Sequence, residues 1–201
     1  MSPRRANPEL AERRREALIK AGYAEILEKG IQATTIDSVV ARAGFSKGGA
    51  LYYYRTRDDL LYAVLEWLLS QLDRTLDQVA AGQQSPRARL ASEMEVLFHS
   101  AEVNRKLYTV LFDFVALALK SERFRVLLAA FFERCRSRDA AIIGEGVRQQ
   151  QFRQVKADDA ARTLRGLVDG YCLHWLLTEP GGSLESHRDR CRAVLGAYLL
   201  R

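Results

Sequence analysis

The chain has 201 residues, 48% of them apolar, with few prolines and a net charge of +6. It is long enough for one large domain or for a small domain joined to a larger one, and its apolar share excludes a globally disordered chain. Residues 1–57 hold 11 Lys/Arg against 6 Asp/Glu, a balance of +5, while the rest of the chain stands at +1. Such asymmetry points to a polyanionic partner, with solvated helix faces as the competing reading.

Cys135, Cys172 and Cys191 are odd in number and widely spaced, so no disulfide framework or zinc spacing is present. A reducing cytoplasm is expected. The opening MSPRRANPEL lacks the apolar run of a signal peptide, and no stretch reaches the roughly 18 consecutive apolar residues of a membrane span.

Arg4 and Arg5 belong to an arm that can reach a minor groove or form a solvated tail. A first helix is expected over Pro8–Lys29, with Leu18, Ala21, Gly22 and Ile26 on one face and Gly30 as its C-cap. Arg13, Arg14 and Arg15 crowd its first half. Thr35 is placed to cap a second helix ending near Arg42. Gly44 suits a tight turn, and Ser46 caps a short third helix over about Lys47–Tyr53. Thr56 caps a long fourth helix reaching about Ala81, with Asp58 and Asp59 in its first turn.

Gly82–Ser85 is a break, and Ser85-Pro86 reads as N-cap and N1 of a fifth helix. Asn104 is placed to cap a sixth and Ser121 to start a seventh, whose end Gly144 and Gly146 weaken. Asp158 or Asp159 opens an eighth, which stops at Pro180, and Ser183 opens the last. The expected fold is all-α, with nine helices and no strand.

Residues 34–60, TTIDSVVARAGFSKGGALYYYRTRDDL, resemble the helix-turn-helix of the TetR (tetracycline-repressor-like) family. Thr34-Thr35, Ala43-Gly44-Phe45-Ser46-Lys47-Gly48, Tyr52-Tyr53-Tyr54 and Thr56-Arg57-Asp58-Asp59-Leu60 carry the likeness. Val40 stands where the family usually has Ala, and Ala50 where it has a larger residue. That exchange conserves volume across a helix crossing, the kind of swap cores tolerate. The resemblance implies a homodimeric, ligand-released repressor that binds a near-palindromic operator. Residues 1–56 would be its DNA-binding head. Residues 57–201 would be a ligand-binding body that dimerises through the last two helices.

The residues support the head independently. Lys47 can pair a phosphate or a guanine edge. Gly48 and Gly49 remove side chains that would hold the helix off DNA. Tyr52 and Tyr53 can bond phosphates or pack on a thymine methyl, although Tyr52 and Tyr54 also suit a core. Thr35 and the amides behind it form a phosphate site, Ser46 opens the recognition helix, and Arg57 can clamp the DNA backbone. In the body, Phe98, Tyr108, Phe112, Asp113, Tyr171, His174 and Trp175 are candidate contacts for an apolar or aromatic effector. Most such aromatics are ordinary core. Gly166, Gly170 and Ala197 would permit close approach of the dimerising helices, 158–178 and 184–200.

No nucleophile elbow or phosphate-cradling glycine loop is present, so no enzyme and no cofactor is expected. His187 and Cys191, at i and i+4, make a weak metal signal. The competing reading of the whole chain is a helical ligand-binding or interaction protein that does not read DNA sequence.

Overall fold

The computed structural model describes residues 8–82, 84–178 and 183–200, and these form nine helices and no strand. In chain order they are α1 Pro8–Ala33, α2 Ile36–Ala43, α3 Lys47–Tyr53, α4 Arg57–Ala80, α5 Pro86–Leu97, α6 Ala101–Ala118, α7 Glu122–Arg148, α8 Ala157–Thr178 and α9 Leu184–Leu199. No described helix is long and apolar enough to cross a membrane. Packing divides the chain into two compact units. One holds residues up to Leu69 together with Val110–Phe124, and the other holds Ser70–Thr109 and the residues from Arg125 onward. This division does not follow chain order, because α4, α6 and α7 each give residues to both units.

In the first unit, α1 buries Leu18, Ala21, Gly22, Glu25 and Ile26, the spacing of a single helical stripe. A Cβ on Gly22 would meet Val64 Cγ2 of α4 at 2.8 Å, so the two helices approach closely there. Gly30 has φ 77°, as its C-cap reading requires, but one further turn follows before the chain leaves the helix. That turn is held from outside. Asp113 Oδ2 accepts the Ile31 N–H at 2.8 Å, and the Thr34 hydroxyl donates to the Gly30 carbonyl at 3.0 Å.

The second unit is capped as its sequence suggests at two helices. Ser85 Oγ accepts the Ala88 N–H at 3.3 Å, and Ser183 Oγ accepts the Ser186 N–H at 3.1 Å. The start of α6 differs from expectation. Ser100 is the cap, its Oγ accepting the Val103 N–H at 3.3 Å. Asn104 is buried instead, donating to the Leu97 carbonyl at 2.7 Å and accepting the His99 N–H at 3.1 Å. An amide that ties the α5–α6 link is worth more there than at a cap, because both of its ends are satisfied out of water.

The second unit also buries an ionic group. Arg165 of α8 bridges Asp139 of α7, at 3.0 Å from Oδ1, and Glu93 of α5. Two acidic side chains share one guanidinium, and one oxygen of Glu93 has no hydrogen-bond partner among the described residues. Burial pushes the Asp139 carboxyl up to about 8, against the pull of Arg165 and with the push of Glu93. The pair therefore holds a proton well above the ordinary carboxylate range.

Candidate nucleic-acid interface

The segment from α2 to the start of α4 is built almost entirely by local caps. Thr35 Oγ1 accepts the Ser38 N–H and Ser38 Oγ accepts the Thr35 N–H, each at 3.1 Å, a reciprocal capping box. Gly44 closes α2 in the left-handed region at φ 70°, ψ 30°, and its N–H and that of Phe45 satisfy the last carbonyls. Ser46 Oγ accepts the Gly49 N–H at 3.3 Å and starts α3. Thr56 and Asp59 cap α4 reciprocally, at 3.1 and 3.2 Å. Val39, Val40 and Ala50 are buried, so the exchanged Val40/Ala50 pair lies in a closed core.

The opposite face of α3 is open. Tyr52 is 77% exposed, so it is no core residue, and it meets Tyr53 edge to face with ring centroids 5.2 Å apart. Tyr53 and Tyr54 are half-buried. Burial holds the Tyr54 hydroxyl above its ordinary range, partly countered by Arg15. The Arg15 guanidinium stands 5.8 Å from the centroid of Tyr53, which brings the basic first half of α1 beside the recognition helix. No Cβ contact would arise at Gly48, and at Gly49 only Ser46 Oγ lies near.

Lys47 is exposed and paired with Asp37 of α2, its Nζ 2.9 Å from Oδ1. An exposed pair of this kind contributes little to stability, so the ammonium is available for exchange to another anion. Arg57, expected as a DNA-backbone clamp, is bonded within the unit. Its Nε donates to the Thr34 carbonyl at 2.6 Å and its Nη2 to the Ile31 carbonyl. Those bonds commit the guanidinium to joining the start of α4 to the end of α1.

Sequence reasoning missed two supports of this unit. Glu25 is buried on α1 and receives Lys29 Nζ at 3.0 Å and Arg42 Nε at 2.5 Å. Burial pushes its carboxyl up, but the bonds from Arg42, Lys29 and Ser38 outweigh that and bring it down to about 2. Asp113 is the second. A Glu at an apolar-stripe position was a legible signal, whereas the Ile31–Asp113 pair, 82 residues apart, had none.

The seven candidate effector contacts are divided between the two units. Phe98, Tyr108 and Trp175 are buried in the second unit, where Arg105 stands 4.9 Å from the Trp175 ring centroid. Phe112 and Asp113 belong to the first unit, and Asp113 is occupied by Ile31. Tyr171 and His174 line an open cleft of about 410 Å³ on α8 and α9, together with Gly166, Gly170, His187 and Arg190. His174 is exposed there, and Leu173, Leu177, Val194 and Tyr198 are exposed apolar side chains of the same two helices.

A capped helix-turn-helix with an open, basic and tyrosine-bearing second helix, carried by an all-α chain, defines a DNA-binding regulator. The model of "Bacterial regulatory proteins, tetR family" matches residues 18–64, and that of "BetI-type transcriptional repressor, C-terminal" matches residues 86–200. The chain belongs to the TetR family, with a C-terminal part of the BetI type, and it is a DNA-binding transcriptional repressor rather than an enzyme. The HTH-type transcriptional regulator BetI of Agrobacterium fabrum is 30% identical over 173 residues, covering 84% of this chain and 80% of that one. BetI of Yersinia pestis (strain Pestoides F) is 28% identical over 195 residues, covering 90% and 87%. Among solved structures, a TetR transcription regulator from Haloarcula marismortui aligns with TM-score 0.86 at 26% identity, covering 94% of this chain and 99% of that one. A transcriptional regulator from Saccharomonospora viridis, solved in complex with choline, shares the fold with TM-score 0.85 at 20% identity, covering 93% and 97%.

Proposed function

We propose that the repressor binds a near-palindromic operator as a homodimer and is released by a small-molecule effector. In this reading residues 1–56 act as the DNA-binding domain and residues 57–201 as the ligand-binding and dimerisation domain, in the cytoplasm. The observation that carries it is the open face of α3, where Lys47 and Tyr52 are exposed over a closed core. Gly48, Gly49 and Tyr53 belong to the same interface. Thr35 and Ser46 present the amide ends of α2 and α3 to phosphates. Lys47 exchanges Asp37 for the DNA. Arg57 acts from behind, fixing the angle between α1 and α4.

Dimerisation uses α8 and α9. Leu173, Leu177, Val194 and Tyr198 are exposed on them, and a Cβ at Gly166 or Gly170 would meet nothing within 4 Å. These features support a face that a second copy covers as a four-helix bundle. The buried aromatics Phe98, Tyr108 and Trp175 support an apolar or aromatic effector. The effector must bind the free and DNA-bound states with different affinity, since equal affinity shifts nothing.

Selection from a pool of random duplexes tests the reading. It should enrich a site with two inverted halves in successive major grooves, about 34–36 Å apart or a multiple of that. Enrichment of a single half, or of none, would refute the dimeric operator.

A further inference from the structure

An apolar cleft of about 190 Å³ in the second unit is unused by the reading above. Its walls are Leu90 and Met94 of α5, Leu164 of α8, Leu195 and Leu199 of α9, and Phe152 of the α7–α8 loop. None of these side chains is more than 9% exposed, so packing fixes the shape of the cleft.

The loop that supplies Phe152 is held in an unusual conformation. Gln150 has φ 58°, the left-handed region that a residue with a side chain seldom adopts. A Cβ on Gly146 would lie 2.2 Å from the Phe152 ring, so only glycine lets the ring lie there. The Phe152 N–H donates to the Gly146 carbonyl at 3.2 Å, and the Arg153 N–H donates to the Leu199 carbonyl at 2.8 Å. The loop is thereby fastened to the end of α7 and to α9, which borders the cleft.

Two arginines also line it. Arg192 is engaged, donating to the Ala91 carbonyl at 3.3 Å and pairing with Glu95. Arg87 is exposed, and its backbone N–H is taken by Gln151 Oε1 at 3.2 Å. Its guanidinium has no hydrogen-bond or ion-pair partner among the described residues. The cleft thus pairs a fixed apolar wall with an uncommitted cation that is ready for a carboxylate.

We propose that this cleft binds an amphipathic carboxylate, with its alkyl chain against Leu90, Leu195 and Phe152 and its head on Arg87. An apolar cavity of about 150 Å³ holds a six-carbon ring, so this one fits a chain of roughly seven or eight carbons. Among the described residues no acidic side chain lines it, and Glu95 nearby is already held by Arg188 and Arg192. Those charges favour an anion over a cation of the same length.

Calorimetric titration of the full chain with octanoate, octan-1-ol and octyltrimethylammonium, without DNA, tests the proposal apart from the repressor reading. Octanoate should bind once per chain, about tenfold more tightly than octanol, and octyltrimethylammonium should not compete. Arg87→Gln, a surface change that leaves the core intact, should reduce octanoate to the level of octanol. Leu195→Trp should fill the cleft and abolish both. Absence of octanoate binding, octanoate no tighter than octanol, or Arg87→Gln without effect would each overturn it.

Discussion

The carboxylate of Asp113, carried on α6, accepts the backbone N–H of Ile31 at 2.8 Å and so holds the last turn of α1. Arg57 of α4 takes the Ile31 carbonyl from the other side. A single residue just after the left-handed Gly30 is therefore gripped by two helices, at its N–H by α6 and at its carbonyl by α4. Both bonds are part-buried, and each satisfies a group that a kinked helix end would leave open. Asp113→Ala should lower stability by about 1–3 kcal/mol, the cost of a part-buried donor left without its charged acceptor. The midpoint of urea unfolding measures it, and Asp113→Asn, which retains an acceptor oxygen, should lose less.

The Glu25 carboxyl gives the first unit an acid limit. Its value of about 2 in the folded chain lies below that of an unfolded glutamate. The stabilisation is thus complete above the unfolded value, near 4.5, and is lost as pH falls from there toward 2. Arg42→Leu removes the larger hydrogen-bonding partner. Melting temperature against pH should show a shallower acid decline for Arg42→Leu than for the parent, together with lower stability at neutral pH.

The Arg165 network acts in the opposite sense. Asp139 is raised to about 8, so the folded chain holds more protons than the unfolded chain between about 4 and 8. Its contribution is fully present below the unfolded value and declines as pH rises toward 8. Arg165→Met leaves two buried acidic groups, with at least one negative charge between them, without their cation and should cost about 3–5 kcal/mol. A combined Glu93→Leu/Asp139→Leu/Arg165→Met replacement should recover most of that loss, since the desolvation goes with the charges. Denaturant titration at pH 6 and pH 8 checks both statements.

Asp37 restrains Lys47 in the free protein across an exposed pair. Asp37→Ala should change unfolding stability by less than about 0.5 kcal/mol. It should tighten DNA binding, because it removes a carboxylate that competes with phosphate for the same ammonium. Fluorescence anisotropy with a labelled duplex reads the second effect.

The helical frame of this chain was legible because its signals are local. Thr35, Ser46, Thr56, Ser85 and Ser183 cap the helices they precede, and Gly30 and Gly44 adopt the positive φ that their positions suggested. Where reading failed, the cause was distance along the chain. Asn104 looked like a cap because the turn that buries it is made with Leu97 and His99. Arg57 also bonds the carbonyls of Ile31 and Thr34, and nothing near it in sequence announces that second task. Asp113 interrupts an apolar face, which is equally the mark of a ligand contact and of a buried strut, and only the fold distinguishes them. Composition singles out the aromatics, but the split between a buried Trp175 and an exposed His174 is set by which way one turn of α8 faces.

The central claim is that the exposed face of α3 reads DNA. Its most direct test is the affinity of the parent and of Lys47→Ala/Tyr52→Ala for the selected operator and for a random duplex of equal length, across a range of salt. The parent should favour the operator by about 10³-fold or more, with affinity falling steeply as salt rises. The double variant should lose at least tenfold on the operator and show a shallower salt slope, with its melting temperature unchanged. Full operator affinity in the double variant would contradict the account.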